Sequence, residues 1–140
     1  MPPLMRCLLA ALMLNGTAWA QSETFGDYEV HYAAFRSDEL TAEIAAKYGI
    51  RRNRKSAVVL VNVQKNGKAA SARVTGKLRS LPGRQQELVF LEARQQESID
   101  YLAEVPIDHA ALAIFDLEVL PPDVRTPRRL QFRKTFYTDQ

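Results

Sequence analysis

The chain has 140 residues, of which 46% are hydrophobic and 25% are charged, and its formal net charge is +3. A chain of this length and composition forms one globular domain, which excludes intrinsic disorder and a multidomain layout. Its one cysteine excludes an internal disulfide, so packing alone has to hold the core.

The first twenty residues predict a signal peptide. Arg6 supplies a positive charge before an apolar stretch that runs without interruption from Cys7 to Leu14. Ala18 and Ala20 occupy the two small-residue positions of a cleavage site. The stretch is too short to cross a bilayer, and no later segment approaches the roughly 20 apolar residues of a membrane span.

Cleavage after Ala20 leaves a mature chain that begins at Gln21, and we expect residues 21–140 to form the single folded domain. The mature chain has no cysteine and no tryptophan. It therefore lacks a thiolate for a metal site or for nucleophilic catalysis. The predicted location of this exported protein is the periplasm.

Alternation of apolar and polar residues dominates the mature chain, which is typical of all-β domains. The first predicted strand covers residues 27–32. A short helix is predicted next, with Thr41 as its N-cap, its last residue at Lys47 or Tyr48, and Gly49 at its exit.

Residues 57–63 are apolar on both faces, which predicts a central strand covered on both sides, on one of them by the helix. Asn66 and Gly67 predict a type I′ turn, because both residues tolerate positive φ. We expect this hairpin to return through residues 72–78, where Ala72, Val74 and Leu78 form the apolar face.

After a turn at Pro82 and Gly83, the pattern predicts four further strands, at residues 88–93, 99–105, 115–119 and 129–136. Seven strands at spacings of about ten residues predict an all-β, immunoglobulin-like two-sheet sandwich with one short helix. A small closed β-barrel remains the alternative, since periodicity does not separate the two architectures.

The apolar parity of the strands predicts the side chains that meet between the sheets: Val61, Val74, Tyr101, Phe115, Leu117, Phe132 and Phe136. In an immunoglobulin-like arrangement the sixth strand lies between the third and the seventh. This order directs Asp116 and Glu118 outward, between basic residues of both neighbouring strands.

Residues that could carry catalysis or hold a metal are sparse. His31 and His109 are far apart, and neither has a second histidine at a metal-binding spacing. Asp108 and His109 are adjacent, and adjacent side chains point apart in an extended chain. No nucleophile motif or phosphate-binding loop occurs. We therefore predict no enzymatic activity, no metal site and no cofactor.

Five segments of the mature chain resemble a known family: Phe25–Tyr32, Tyr48–Ile50, Val74–Gly76, Ile99–Tyr101 and Phe132–Asp139. In order and spacing they are similar to the bacterial exported domain-of-unknown-function family 4426. The resemblance implies a periplasmic, immunoglobulin-like β-sandwich and implies no activity, and no functional residue is carried over from it.

The chain departs from the family pattern directly after Ile50. A run of cations stands there in place of the small or polar residues expected: Arg51, Arg52, Arg54 and Lys55.

Charges follow each other in blocks along the mature chain. Residues 21–43 hold six acids and one base, and residues 44–86 hold eleven bases and no acid. Residues 87–123 hold nine acids and one base, and residues 124–138 hold five bases and no acid. Either the basic blocks bind an anionic partner, or acidic and basic strands lie side by side and pair.

The candidate contact residues for an anion or a partner are Arg51, Arg52, Arg54, Lys55, Arg129 and Arg133. We expect a non-enzymatic binding module of the bacterial periplasm that engages an envelope protein through loops or an edge strand. The alternative is a carrier or sensor of an anionic small molecule or envelope polymer. Nucleic acid is excluded, since export separates the protein from it and the basic segments lack aromatic residues for base stacking.

Overall fold

The structure is a computed structural model that describes residues 21–81 and 83–138. The predicted signal peptide, with Ala18 and Ala20 of its cleavage site, lies outside the described residues and stays a prediction. Pro82 of the predicted turn also lies outside them, whereas Gly83 is described and has a φ of 131°.

Ten strands make up most of the domain: β1 (Gln21–Phe25), β2 (Tyr28–Arg36), β3 (Ser56–Lys65), β4 (Lys68–Ala69), β5 (Arg73–Ser80), β6 (Arg84–Leu88), β7 (Leu91–Gln95), β8 (Ser98–Pro106), β9 (Leu112–Leu120) and β10 (Arg128–Thr135). The first sheet has the order β1-β2-β3-β8-β7, with β4 paired to one end of β3. The second sheet has the order β10-β9-β5-β6. All pairs are antiparallel. The predicted two-sheet sandwich is therefore confirmed, and the described strands do not close into the alternative barrel.

The one α-helix among the described residues, α1 (Ala42–Tyr48), follows a short 3-10 helix at Ser37–Glu39. The Thr41 side chain accepts a hydrogen bond from the Ile44 N–H at 3.2 Å, which satisfies one of the unpaired donors of the first turn. Gly49 ends the helix with a φ of 68°, a left-handed conformation that favours glycine. Both caps confirm the predicted helix.

Helix α1 packs on the outer face of the first sheet. Ala45 of the helix and Ile50 after it form a small buried cluster with Phe35 of β2, Val58 of β3 and Leu102 of β8. Alternate side chains of β3 enter the main core between the sheets instead. Strand β3 is therefore covered on both faces, as its continuous apolar sequence predicted.

The main core lies between the two sheets and contains all the side chains predicted to meet there: Val61, Val74, Tyr101, Phe115, Leu117, Phe132 and Phe136. The rings of Phe115 and Phe132 stack with a centroid distance of 4.8 Å. Strand parity thus identified the inward faces of both sheets.

The predicted hairpin after β3 is correct in its turn and wrong in its return strand. Asn66 and Gly67 have φ values of 51° and 79°, as a type I′ turn requires. Only Lys68–Ala69 pairs back onto β3, however, because β8 occupies the same edge of β3 from Ser56 to Asn62. The chain therefore crosses to the second sheet, where residues 73–80 form β5.

The predicted strand at residues 88–93 is also wrong. Strand β6 ends at Leu88 in the second sheet, and β7 begins at Leu91 in the first. The apolar run that indicated one strand is the crossing between two sheets. With β1 and β4, which the sequence pattern did not predict, this division raises the number of strands from seven to ten.

The predicted order of the sixth, third and seventh strands is confirmed. Strand β9 lies between β5 and β10, and the register places Asp116 opposite Lys77 on β5 and Gln131 on β10. Glu118 is likewise opposite Arg129. The outer face of the second sheet is thus an acidic strand between two basic ones.

Candidate functional site

A groove of about 650 Å³ lies on the outer face of the first sheet, between the end of α1 and the strand β7. We call it the β7 groove and define it by six of its lining residues: Tyr48, Ile50, Val89, Leu91, Ala93 and Leu102. Leu102 and Ile50 form a buried floor. The groove thus has the apolar base and open side that suit an extended apolar ligand.

The β7 side of the groove exposes two large apolar side chains beside the polar residues Glu92, Arg94 and Gln95. Val89 and Leu91 are 71% and 70% exposed, and they are the two most exposed large hydrophobic side chains among the described residues. Both lie on or beside an edge strand, since β7 pairs with β8 alone among the described strands. An edge strand presents backbone N–H and C=O groups that another chain can use.

The other end of the groove is closed by a polar contact. The Gln95 side chain of β7 donates a hydrogen bond to the Tyr48 hydroxyl at 3.1 Å, which links strand and helix. Burial is the main cause of a raised pKa of Tyr48, and its hydroxyl is protonated at neutral pH. The charge of the Asp100 carboxylate and its hydrogen bond with this hydroxyl also raise the pKa, so the Tyr48 hydroxyl is engaged by both Gln95 and Asp100.

A loop rich in cations begins where the groove ends. Ile50 lines the groove, and the exposed residues that follow it are the predicted candidates Arg51, Arg52, Arg54 and Lys55. We call residues 51–55 the basic loop. Arg52 donates to the Asp38 carbonyl at 3.0 Å. The side chains of Arg51 and Lys55 make no hydrogen bond or ion pair with the described residues.

Hydrogen bonds fix the backbone of the basic loop on both of its sides. The buried Ser37 hydroxyl accepts from the Asn53 N–H and lies 2.8 Å from the Asn53 carbonyl oxygen, with Ser56 Oγ at 2.9 Å. On the far side of the loop, the Ile107 N–H donates to the Lys55 carbonyl at 3.0 Å. The loop therefore presents its cations from a fixed backbone.

The remaining two candidates, Arg129 and Arg133, lie elsewhere. Both are exposed on β10, on the outer face of the second sheet, whereas the basic loop leads into β3 of the first. The six predicted contact residues therefore form two groups on different sheets. Only the group at residues 51–55 adjoins the β7 groove.

Ion pairs within the fold account for part of the blockwise charge. Four ion pairs join a basic block to an acidic block: Lys65–Asp123 at 2.9 Å, Arg79–Asp116 at 2.9 Å, Arg84–Asp108 at 3.3 Å and Arg128–Glu23 at 2.8 Å. Asp116 also accepts a hydrogen bond from Gln131 at 2.6 Å. The bond from Gln131 is the main cause of a lowered pKa of the Asp116 carboxyl, and the bond from Arg79 lowers it further. The cations of the basic loop are outside this set of pairs.

A second concavity, of about 440 Å³, lies on the outer face of the second sheet. Its charged lining residues alternate in sign, with Lys77 and Arg129 among Glu87, Asp116 and Glu118. Such a lining does not suit a polyanion, because carboxylates are interspersed with the cations.

The histidines lie outside both concavities. His31 Nε2 is 3.3 Å from the exposed Glu29 carboxylate on the same strand, and His109 Nδ1 accepts from the Thr138 N–H at 3.0 Å. Within residues 21–81 and 83–138, no three His, Cys, Asp or Glu side chains come together as a metal site would require. No helix in this part of the chain is long and apolar enough to cross a bilayer.

Sequence reasoning missed the groove itself. Tyr48 was recognised as a helix end, and Val89 and Leu91 were assigned to the middle of a strand. The available signal was the high apolar content of residues 88–91 without alternation, which is compatible with a crossing between sheets as well as with a buried strand.

The fold is shared with solved proteins. A DUF4426 family protein from Pseudomonas aeruginosa PAO1 matches with a TM-score of 0.76 and 28% identity, over 89% of this chain and 99% of that one. A copper-bound variant of FetP from uropathogenic Escherichia coli strain F11 matches with a TM-score of 0.63 and 10% identity, over 84% of this chain and 96% of that one. FetP as isolated, recombinantly expressed in the periplasm of E. coli, gives a TM-score of 0.58 at 10% identity, over 85% and 94%.

At 10% identity the likeness to FetP is one of fold alone. No curated protein matches the sequence. The sequence model of the family described as Domain of unknown function (DUF4426) matches residues 22–139, nearly the whole described part of the chain. The chain therefore belongs to the DUF4426 family, as its sequence segments indicated.

Proposed function

We propose that this domain is a non-enzymatic binding module of the bacterial periplasm and that it engages an envelope protein through the β7 groove and the basic loop. The observation that carries this proposal is the exposure of Leu91 on the edge strand β7 and of Val89 just before it, beside the buried floor formed by Ile50 and Leu102. Exposed apolar patches of this kind are typical of protein interaction sites.

The two surfaces specify the chemistry of the partner. Apolar side chains fit the floor of the groove, where Leu102 and Ile50 are already dry. Acidic side chains fit the basic loop, because the cations of Arg51 and Lys55 have no anion among the described residues. A segment that carries apolar residues next to acidic ones therefore complements both surfaces at once.

The surroundings of the two histidines and of the charged residues in the groove support a role without catalysis. His109 is engaged by a backbone N–H and His31 by a solvated carboxylate. Among the groups that line the β7 groove, burial raises the pKa of Tyr48 and the hydrogen bond from Arg94 lowers the pKa of Glu92, so both shifts lead away from neutral pH, where a general acid or base works best. The charged residues of the groove, such as Lys47 and Glu104, are surface side chains.

Periplasmic location is supported by the predicted signal peptide of residues 1–20. Copper binding is not carried over from FetP. Copper sites use His, Met and Cys, and the described chain has two separate histidines and neither of the sulfur residues.

Matched pairs of variants test the proposal in a quantitative pull-down from periplasmic extract. Leu91→Asn alters the groove, and Leu81→Asn changes another exposed leucine, in the turn after β5. Arg51→Gln/Lys55→Gln removes two cations from the basic loop. Arg129→Gln/Arg133→Gln removes two from the second sheet and changes the net charge equally.

We expect one protein to be retained by the wild type and by both control variants, and to be lost with both site variants. Retention that depends equally on all four variants would contradict a specific site. Loss of heparin binding with Arg51→Gln/Lys55→Gln, without any captured protein, would instead favour the alternative of an anionic envelope polymer.

A further inference from the structure

Strand β7 carries a charge pattern that complements itself when two copies run antiparallel. Its residues are Leu91, Glu92, Ala93, Arg94 and Gln95. When Ala93 lies opposite Ala93 of a second copy, Glu92 of each copy lies opposite Arg94 of the other. A register centred on Glu92 or on Arg94 would place like charges opposite each other, which is destabilising.

The backbone is compatible with the same register. The hairpin of β7 and β8 has a two-residue turn closed by Gln95 and Ser98, so this pair is hydrogen-bonded and such pairs alternate along the ladder. Ala93 therefore directs its N–H and C=O toward β8. Glu92 and Arg94 direct theirs outward, and the register centred on Ala93 pairs these outward groups with each other.

Charged and apolar side chains lie on opposite faces of β7. Glu92 and Arg94 form an ion pair of 2.7 Å on one face of β7, and the Tyr101 hydroxyl donates to Glu92 at 3.2 Å. On the other face, the exposed Leu91 would lie diagonally across from Ala93 of the second copy, whose small side chain leaves room for it.

The other sheet edges are tied within the chain. Strands β1 and β10 are joined by the pair of Glu23 and Arg128, and Gln86 of β6 donates to the Pro106 carbonyl of β8 at 3.0 Å. Strand β7 is an edge as well, since it pairs with β8 alone among the described strands, and its outward N–H and C=O groups can pair with a second strand.

We infer that two copies of this protein form a symmetric dimer in which their β7 strands pair antiparallel about Ala93. The first sheet of one copy and the first sheet of the other then form one continuous sheet. Two β7 grooves come to lie side by side on the same face. This inference goes beyond the proposed function, since it names an assembly and does not require the envelope partner.

Exchange of charges tests the dimer by analytical ultracentrifugation of the purified mature chain. We expect the wild type to reach the mass of a dimer as its concentration rises. Glu92→Arg and Arg94→Glu should each remain at the mass of a monomer, because each opposes like charges. The double variant Glu92→Arg/Arg94→Glu should recover the dimer. Glu87→Arg, on edge strand β6, is the control and should behave as the wild type.

The most decisive experiment mixes the two single variants, Glu92→Arg and Arg94→Glu. Each is monomeric alone, and together they should form a one-to-one heterodimer in which every charge on β7 meets its opposite. Should Glu92→Arg fail to fold through loss of its contact with Tyr101, Arg94→Glu and the double variant still decide the question. A monomeric wild type at all concentrations, or single variants that dimerise as the wild type does, would overturn the inference.

Discussion

Replacing Phe132 with alanine tests how the two sheets are held together. Phe132 on β10 is 8% exposed, stacks on Phe115 at 4.8 Å and contacts the Tyr32 ring of the opposite sheet at 5.2 Å. Phenylalanine-to-alanine changes in cores cost about 3 to 5 kcal/mol, and loss of two ring contacts favours the upper half of that range. For a domain of about 120 residues, a loss of about 4 to 5 kcal/mol corresponds to a fall in melting temperature of about 16 to 20 °C.

Thermal unfolding followed by circular dichroism measures the effect. Phe132→Leu retains most of the volume and should cost only about 1 to 2 kcal/mol. Arg129→Ala, an exposed change on the same strand, should leave the melting temperature unchanged. A Phe132→Ala protein that melts within a few degrees of the wild type would refute the assignment of this face of β10 to the core.

Three further changes are expected to have defined effects. Gly67→Val should cost about 1 to 3 kcal/mol in urea unfolding, because Gly67 has a φ of 79°, whereas exposed Lys68→Ala should cost almost nothing. Gly76→Ala should lower the melting temperature, since its Cβ would lie 2.8 Å from the Asp116 carbonyl oxygen, and an unchanged value would contradict this close approach. Asp116→Asn should barely alter stability at neutral pH and should lengthen retention on heparin, because it frees Arg79. Folding lowers the pKa of Asp116. The ionised carboxyl therefore contributes to the free energy of unfolding above its unfolded-state pKa, and this contribution is lost as the pH falls through its folded-state pKa. In the variant, the free energy of unfolding should depend less on pH in this acid range.

Periodicity was sufficient for the parts of the fold that depend on local pattern. The core faces of β9 and β10, the caps at Thr41 and Gly49 and the turn at Gly67 all follow from residue type and spacing. Strand β1 was missed because residues 21–25 are mostly exposed and carry little alternation. The local signal for its pairing with β2 is the two-residue turn at Gly26 and Asp27, where Gly26 has a φ of 56°.

The two wrong predictions, which concern the strands at residues 72–78 and 88–93, have a common physical cause, which is competition between strands for the edges of a sheet. Residues 72–78 could not pair with β3, because β8 already holds that edge. Residues 88–91 look like one buried strand, but Val89 and Leu91 belong to a crossing and to the start of another sheet. The β7 groove depends on both outcomes and on the packing of α1, so only the structure places it.

Site-specific photo-crosslinking in bacterial cells tests the proposed function most directly. A photoreactive amino acid at position 91 probes the β7 groove, and one at position 81 probes an exposed site of the second sheet. We expect position 91 to give an adduct with a different envelope protein, identified by its mass, and Arg51→Gln/Lys55→Gln to weaken that adduct. Adducts of equal yield from position 81, or from position 91 only with a second copy of this chain, would contradict an envelope partner at the β7 groove.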